Sequence, residues 1–233
     1  MSLLDDIRQN VIDGDMDRTQ ELVQKGIVDH VPAENILREG LISAMSEVGR
    51  RFESGEFYVP EMLIAARAMK SGMTLLRPQL IAANVRANGR VVIGTVQGDV
   101  HDIGKNLVGM MLEGAGFEVI DLGSDVPPER YVQAVREHQP DLVAFSALLT
   151  TTMVRMKDVI HALEEAGLRH EVKVMIGGAP VTEDYASQLG ADLYAPDAAA
   201  ATTRAKGLLS DLKRQGEITA LNGPADGNRM ARS

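Results

Sequence analysis

The sequence predicts an α/β protein: a four-helix bundle followed by a doubly wound, five-stranded parallel sheet. Three observations carry this reading. Residues 3 to about 82 hold no convincing strand and repeat their apolar positions at helical spacing. From residue 91 onward, short apolar runs alternate five times with helical stretches. Between the two lies AANVRANG, residues 82–89, a polar, small-residue stretch where the composition changes.

The bundle is read from Leu37, Leu41, Ala44, Met45 and Val48, then from Leu63, Ala66, Met69, Met73 and Leu76. Ser2 and Asp15 suit N-caps, Pro32 and Pro60 suit first turns, and GDMD, KGIVDHV and ESGEFY break the run into four helices. The strands are VVIGTV (91–96), EVIDLG (118–123), DLVAFSA (141–147), VKVMIGG (172–178) and ADLYA (191–195). Helices are expected from about 104, 128, 152 and 182, and a last one, opened by Ala198–Ala201, runs to about 214. The predicted division is a helical region over 1–86, a sheet region over 87–214, and a disordered tail over 215–233, where apolar periodicity is lost.

A chain of 233 residues, 45% of them hydrophobic, can bury an ordinary core. The net charge of −9, with no basic cluster, argues against nucleic acid or an anionic membrane as the principal partner. No cysteine is present, so disulfides, thiolate metal sites and cysteine nucleophiles are excluded together. The acidic start MSLLDDIRQN lacks the basic charge of a signal peptide, and no segment approaches the roughly 20 apolar residues of a membrane span. A cytoplasmic protein is expected.

A five-stranded doubly wound sheet commonly has the order 2-1-3-4-5, with ligands beyond the carboxyl ends of strands at the switch between strands 1 and 3. Three unusual loops converge there: QGDVHDIGKN after strand 1, SALLTTT (146–152) after strand 3, and Gly177-Gly178 after strand 4. Gly98 and Gly104-Lys105 resemble a phosphate-binding P-loop, but five residues separate the glycines instead of four and Asn106 follows the lysine. Asp99 and Asp102 would also repel a phosphate. A phosphoacceptor signalling domain of this topology needs an aspartate at the end of strand 3, where Ser146 stands. An imidazole, carboxylates, hydroxyls and paired glycines at one edge imply a large ligand. His101 beside Asp99 suits metal ligation, because a ligating imidazole usually gives its other N–H to a carboxylate or carbonyl. Singly, each residue has a plainer reading: His101 as a surface loop residue, Asp99 as a cap or turn, and Ser146, Thr150, Thr151 and Thr152 as strand-end or cap hydroxyls. The glycine pair could be a turn, and the methionines of the helical region core. Their joint spacing shifts the balance.

Asp99-x-His101-x-x-Gly104, then Ser146-x-Leu148 after 41 intervening residues, then Gly177-Gly178 after a further 28, resembles the DxHxxG…SxL…GG signature of cobalamin-binding domains. GRRFESGEFYVPEML (49–63) and AARAMKSG (65–72) resemble the helical cap of the methyltransferase class. The chain is thus similar, over about residues 1–214, to corrinoid proteins of methanol, methylamine and methoxy-compound methyltransferase systems, and to the cobalamin-binding module of methionine synthase.

The resemblance implies a flavodoxin-like sheet that binds cobalamin or a related corrinoid, in its methylcobalamin form, with the lower base detached and His101 as the cobalt ligand. It implies that Asp99 accepts a hydrogen bond from the imidazole and that Thr152, where methionine synthase has Ser, completes a relay. Ser146 and Thr150 would contact the nucleotide tail, and Gly104, Gly177 and Gly178 would leave room for it. Gly98, Val100, Asp102 and Leu148 join them as cofactor-binding positions, while Phe52, Tyr58 and Val59 would cover the upper face. The function implied is a methyl carrier, a non-autonomous subunit serving a substrate-specific methyltransferase and a second, methyl-accepting one, with a reductive activase as a further partner. A hinge in 82–89 would let the cap move aside. The alternative is a cobalamin-dependent light or ligand sensor, which usually carries a DNA-binding helix-turn-helix domain; an adenosylcobalamin mutase subunit would have no reason for this cap.

Overall fold

The computed structural model describes residues 2–85 and 87–214; the expected disorder of 215–233 concerns a stretch outside the described residues. Helix α1 (Leu3–Ile12) opens on a capping box, in which Ser2 Oγ accepts the Asp5 N–H (3.2 Å) and the Asp5 carboxylate accepts the Ser2 N–H (3.0 Å). Asp15 caps α2 (Met16–Val28) by accepting the Arg18 N–H at 2.9 Å. The third rod is continuous but not uniform: α3 (Ala33–Asn35) passes into a π-helical segment, Ile36–Ile42, and then α4 (Ser43–Glu53). Pro32 sits at the N-cap, one place before the first turn where the sequence put it. At the return to α-helix, Ser43 Oγ donates to the Glu39 carbonyl and Ser46 Oγ to the Ile42 carbonyl, so local hydroxyls serve carbonyls whose backbone register has changed. Helix α5 (Val59–Ala82) carries Pro60 in its first turn as expected. Ile7, Val11, Leu41, Met62 and Leu76 are buried in the center of this bundle.

The sheet comprises β1 (Arg90–Thr95), β2 (Glu118–Asp121), β3 (Leu142–Ser146), β4 (Lys173–Gly177) and β5 (Leu193–Ala195), all parallel, in the order β2-β1-β3-β4-β5. Thr95 pairs with Ser146 and Ser146 with Gly177, so the loops after β1, β3 and β4 leave the sheet at one level. Helix α6 (Ile103–Gly114) and α11 (Ala198–Arg214) cover one face, where Val91, Ile93, Ala144 and Met175 meet Leu112, Ala205 and Leu209. On the other, Val92, Val143, Phe145 and Ile176 meet α7 (Pro128–His138) and α9 (Met156–Glu165). The fourth connection contains α10 (Glu183–Leu189). The single helix expected from about 152 is two, a short α8 (Thr150–Met153) and then α9.

The bundle docks on α6. Met111 is buried in the same cluster as Met45 and Val48, and Leu107, Val108 and Met110 pack against it. The outer face of α6 is therefore covered by α4 and α5, which explains why its sequence is apolar on both sides.

Candidate functional site

The three loops do meet, around a cleft of about 530 Å³. His101, Gly104, Ser146, Leu148, Gly177 and Gly178 line it, with Ile93, Ala144 and Met175 of the sheet, Val108 of α6 and Ala201 of α11. The sheet residues at its base alternate with those facing α7 and α9, so the cleft is a slot between the sheet and the α6/α11 layer. Val100 and Asp102 line it too.

Asp99 organises the polar part. It is fully buried at 0% exposure, and each of its oxygens has two partners. Oδ1 accepts the His101 backbone N–H (3.0 Å) and contacts His101 Nδ1 (2.9 Å); Oδ2 accepts the Thr152 hydroxyl (2.5 Å) and the Leu148 N–H (2.8 Å). Burial pushes the carboxyl upward, but the bonds from Thr152, the His101 and Leu148 amides and the imidazole outweigh it and hold Asp99 well below the usual carboxylate range. An ionised carboxylate only accepts, so Nδ1 must carry the hydrogen. With Nδ1 turned to Asp99, Nε2 is the nitrogen left to bind a ligand, and among the described residues it has no hydrogen-bond partner. Thr152, 53 positions beyond Asp99, is brought to it because α8 turns the loop after β3 back toward β1.

The other expected residues divide. Phe52, from the end of α4, lines the cleft, but Tyr58 and Val59 do not; Tyr58 is 67% exposed. Helix α5 starts at Val59, and both residues lie exposed at that helix end. Thr150 lies at the start of α8 outside the lining. Gly98 also lies outside; its φ of +83° is its reason for being glycine. Gly104 faces open space, as expected for a residue that leaves room. The glycine pair lines the cleft and has a further reason for lacking a side chain. A Cβ on Gly177 would come within 2.7 Å of the Ala195 carbonyl oxygen, and one on Gly178 within 1.9 Å of that of Ala147, so close backbone approach requires both.

Sequence reasoning missed three residues. Lys105, used only to weigh a phosphate loop, has its Nζ buried on the Asp121 carboxylate (2.5 and 2.7 Å) and on Asn106 Oδ1 (2.7 Å). Asp125 accepts the Gly98 N–H at 2.7 Å. A lysine inside an otherwise apolar helix start was the one available signal for the first pair; nothing local marks Asp125.

A family model described as a B12 binding domain matches residues 89–203, and a second of the same description matches residues 3–77. Dimethylamine corrinoid protein 3 of Methanosarcina acetivorans is 44% identical over 207 residues, spanning 89% of this chain and 97% of that protein. The chain belongs to the corrinoid-protein family. Trimethylamine corrinoid protein of Methanosarcina barkeri is 40% identical over 205 residues, 87% of this corrinoid protein and 94% of that one. Among solved structures, the methanol:cobalamin methyltransferase complex of M. barkeri aligns with a TM-score of 0.82 at 32% identity, covering 89% of this chain and 80% of that one. A cobalamin-binding protein of Desulfitobacterium hafniense aligns with a TM-score of 0.72 at 35% identity, covering 88% and 97%. The residues present fit a corrinoid: a free imidazole nitrogen fixed from behind by a buried carboxylate stands at the mouth of a mostly apolar slot between sheet and helices.

Proposed function

We propose that this corrinoid protein is a methyl carrier, taking a methyl group from a substrate-specific methyltransferase and yielding it to a second methyltransferase. A corrinoid, when bound, supplies a cobalt center able to accept and release that group. The observation that carries the reading is the buried Asp99 carboxylate between His101 Nδ1 and Thr152 Oγ1, which leaves Nε2 free at the cleft. In this role His101 ligates cobalt through Nε2, and Asp99 keeps the ring turned and Nδ1 protonated. Thr152 steadies the carboxylate, which would stay ionised and keep the hydrogen on Nδ1 while the imidazole binds or leaves. The slot lined by Ser146, Leu148 and Gly104 houses the nucleotide tail. Phe52 shields the upper face, in a division of labour between a helical cap over 1–86 and a binding unit over 87–214. The dimethylamine and trimethylamine corrinoid relatives support this reading through their names.

The test loads the full chain with isotopically labelled methylcobalamin and adds, one at a time, purified corrinoid-dependent methyltransferases, those of dimethylamine and trimethylamine systems among them. One of them should release the label to its acceptor, and His101→Ala should slow that release. Label that stays on the protein with every such enzyme would sink the carrier role.

A further inference from the structure

The histidine loop is held at both ends by one continuous stretch, the end of β2 and the connection that follows it to α7. At its start, Asp125 Oδ1 accepts the Gly98 N–H (2.7 Å) while the Asp125 N–H donates to the Asp99 carbonyl (2.9 Å), so the two bonds bracket residues 98 and 99. At its end, Lys105, 1% exposed in its side chain, is anchored on Asp121 at 2.5 Å. Between these anchors the same Asp99 grips both the backbone and the ring of His101 through Oδ1. We propose that Asp125 is a positioning residue for His101: by clamping the Gly98-Asp99 backbone it fixes where the Asp99 carboxylate stands, and so where Nε2 points.

Two features favour this over a merely structural turn. Asp125 holds a left-handed φ of +54°, where Asn or Gly would sit more easily, yet it offers the stronger charged acceptor toward Gly98. It is also exposed, so the clamp contributes little burial, and its removal should loosen the loop with little effect on the core. Orienting partners of a metal-ligating histidine typically change ligation 10–100-fold when lost.

The inference rests on the proposed ligation by His101, and the experiment separates the two. Full-length wild type, Asp125→Asn, Asp125→Gly and Asp125→Glu are reconstituted with hydroxocobalamin and reduced to the cobalt(II) state. Electron paramagnetic resonance then gives the ratio of imidazole-bound to imidazole-free cobalt, read across pH well below each melting temperature. Asp125→Asn tolerates the backbone angle but keeps only a neutral acceptor, and should fall between wild type and the other two variants. Asp125→Gly relaxes the angle but removes the acceptor, and Asp125→Glu displaces the carboxylate by one methylene; both should lower the bound fraction, with the ratio falling about tenfold, while the melting temperature of the protein without cofactor changes little. If Asp125→Gly melts early, Asp125→Glu carries the comparison. Wild-type ratios in both variants overturn the positioning role, whereas a wild type without nitrogen coupling overturns the His101 assignment itself.

Discussion

Asp99 is the residue on which most of the site's polar energy converges, with four hydrogen bonds to one buried carboxylate. Hydrogen bonds to a charged group contribute roughly 1.5–3 kcal/mol, so Asp99→Asn, which loses charge and mismatches at least one donor, should destabilise the cofactor-free chain by about 2 kcal/mol at pH 7. The sign of its pH dependence follows from a folded-state pKa held low. That stabilisation is complete above the unfolded-state value of about 3.9 and is lost as pH falls toward the folded value. The difference between wild type and Asp99→Asn in urea unfolding should therefore be constant from pH 7 to about 5 and shrink below about 4. A difference unchanged down to pH 3 would contradict an ionised Asp99.

At the scale of elements, the ends of β1, β3 and β4 decide where the chemistry can be, and the glycines there act in two distinct ways. Gly178 has a φ of +130° and a virtual Cβ only 1.9 Å from the Ala147 carbonyl oxygen, so Gly178→Ala should cost roughly 3 kcal/mol or more through strain and overpacking. Gly104, in the first turn of α6, has nothing within 4 Å, so Gly104→Ala should leave melting unchanged or slightly raised while weakening corrinoid binding. Thermal unfolding without cofactor and cobalamin titration of both variants test this. Equal effects of the two on melting would mean that the cleft side of Gly104 is not open. The π-helical segment Ile36–Ile42 belongs to this scale too. Its hydrophobic spacing is compatible with an ordinary helix, so the change of register was not readable from the sequence.

For the whole molecule, the interface between bundle and sheet covers the outer face of α6 and brings one aromatic residue, Phe52, over the cleft. A chain shortened to start at Asn88 keeps every cleft residue except Phe52 but exposes Leu107, Met110 and Met111. It should still bind cobalamin while being less stable and more prone to association. Bound methylcobalamin should be photolysed faster in it than in the full chain, because an uncovered radical pair escapes before recombining. In the full chain Phe52→Ala should move the rate in the same direction and Tyr58→Ala should not, since Tyr58 stands away from the cleft. A photolysis rate for Phe52→Ala equal to wild type would remove Phe52 from the cover.

Strand identity, strand order and the meeting of three loops were legible in the sequence because burial on both faces leaves continuous apolar runs such as VVIGTV, and because parallel connections have few permitted topologies. The pairing of Asp99 with His101 was also legible, being two residues apart on one loop. What only the tertiary structure decided lies between segments apart in the chain: Asp125 on Gly98, Lys105 on Asp121, and Phe52 but not Tyr58 at the cleft. Local periodicity records which face of an element is buried, whereas a hydrogen bond between two loops depends on the path each takes after leaving the sheet. That path is set by packing of the whole chain, so residues such as Asp125 look like ordinary turn residues until the loops are placed together.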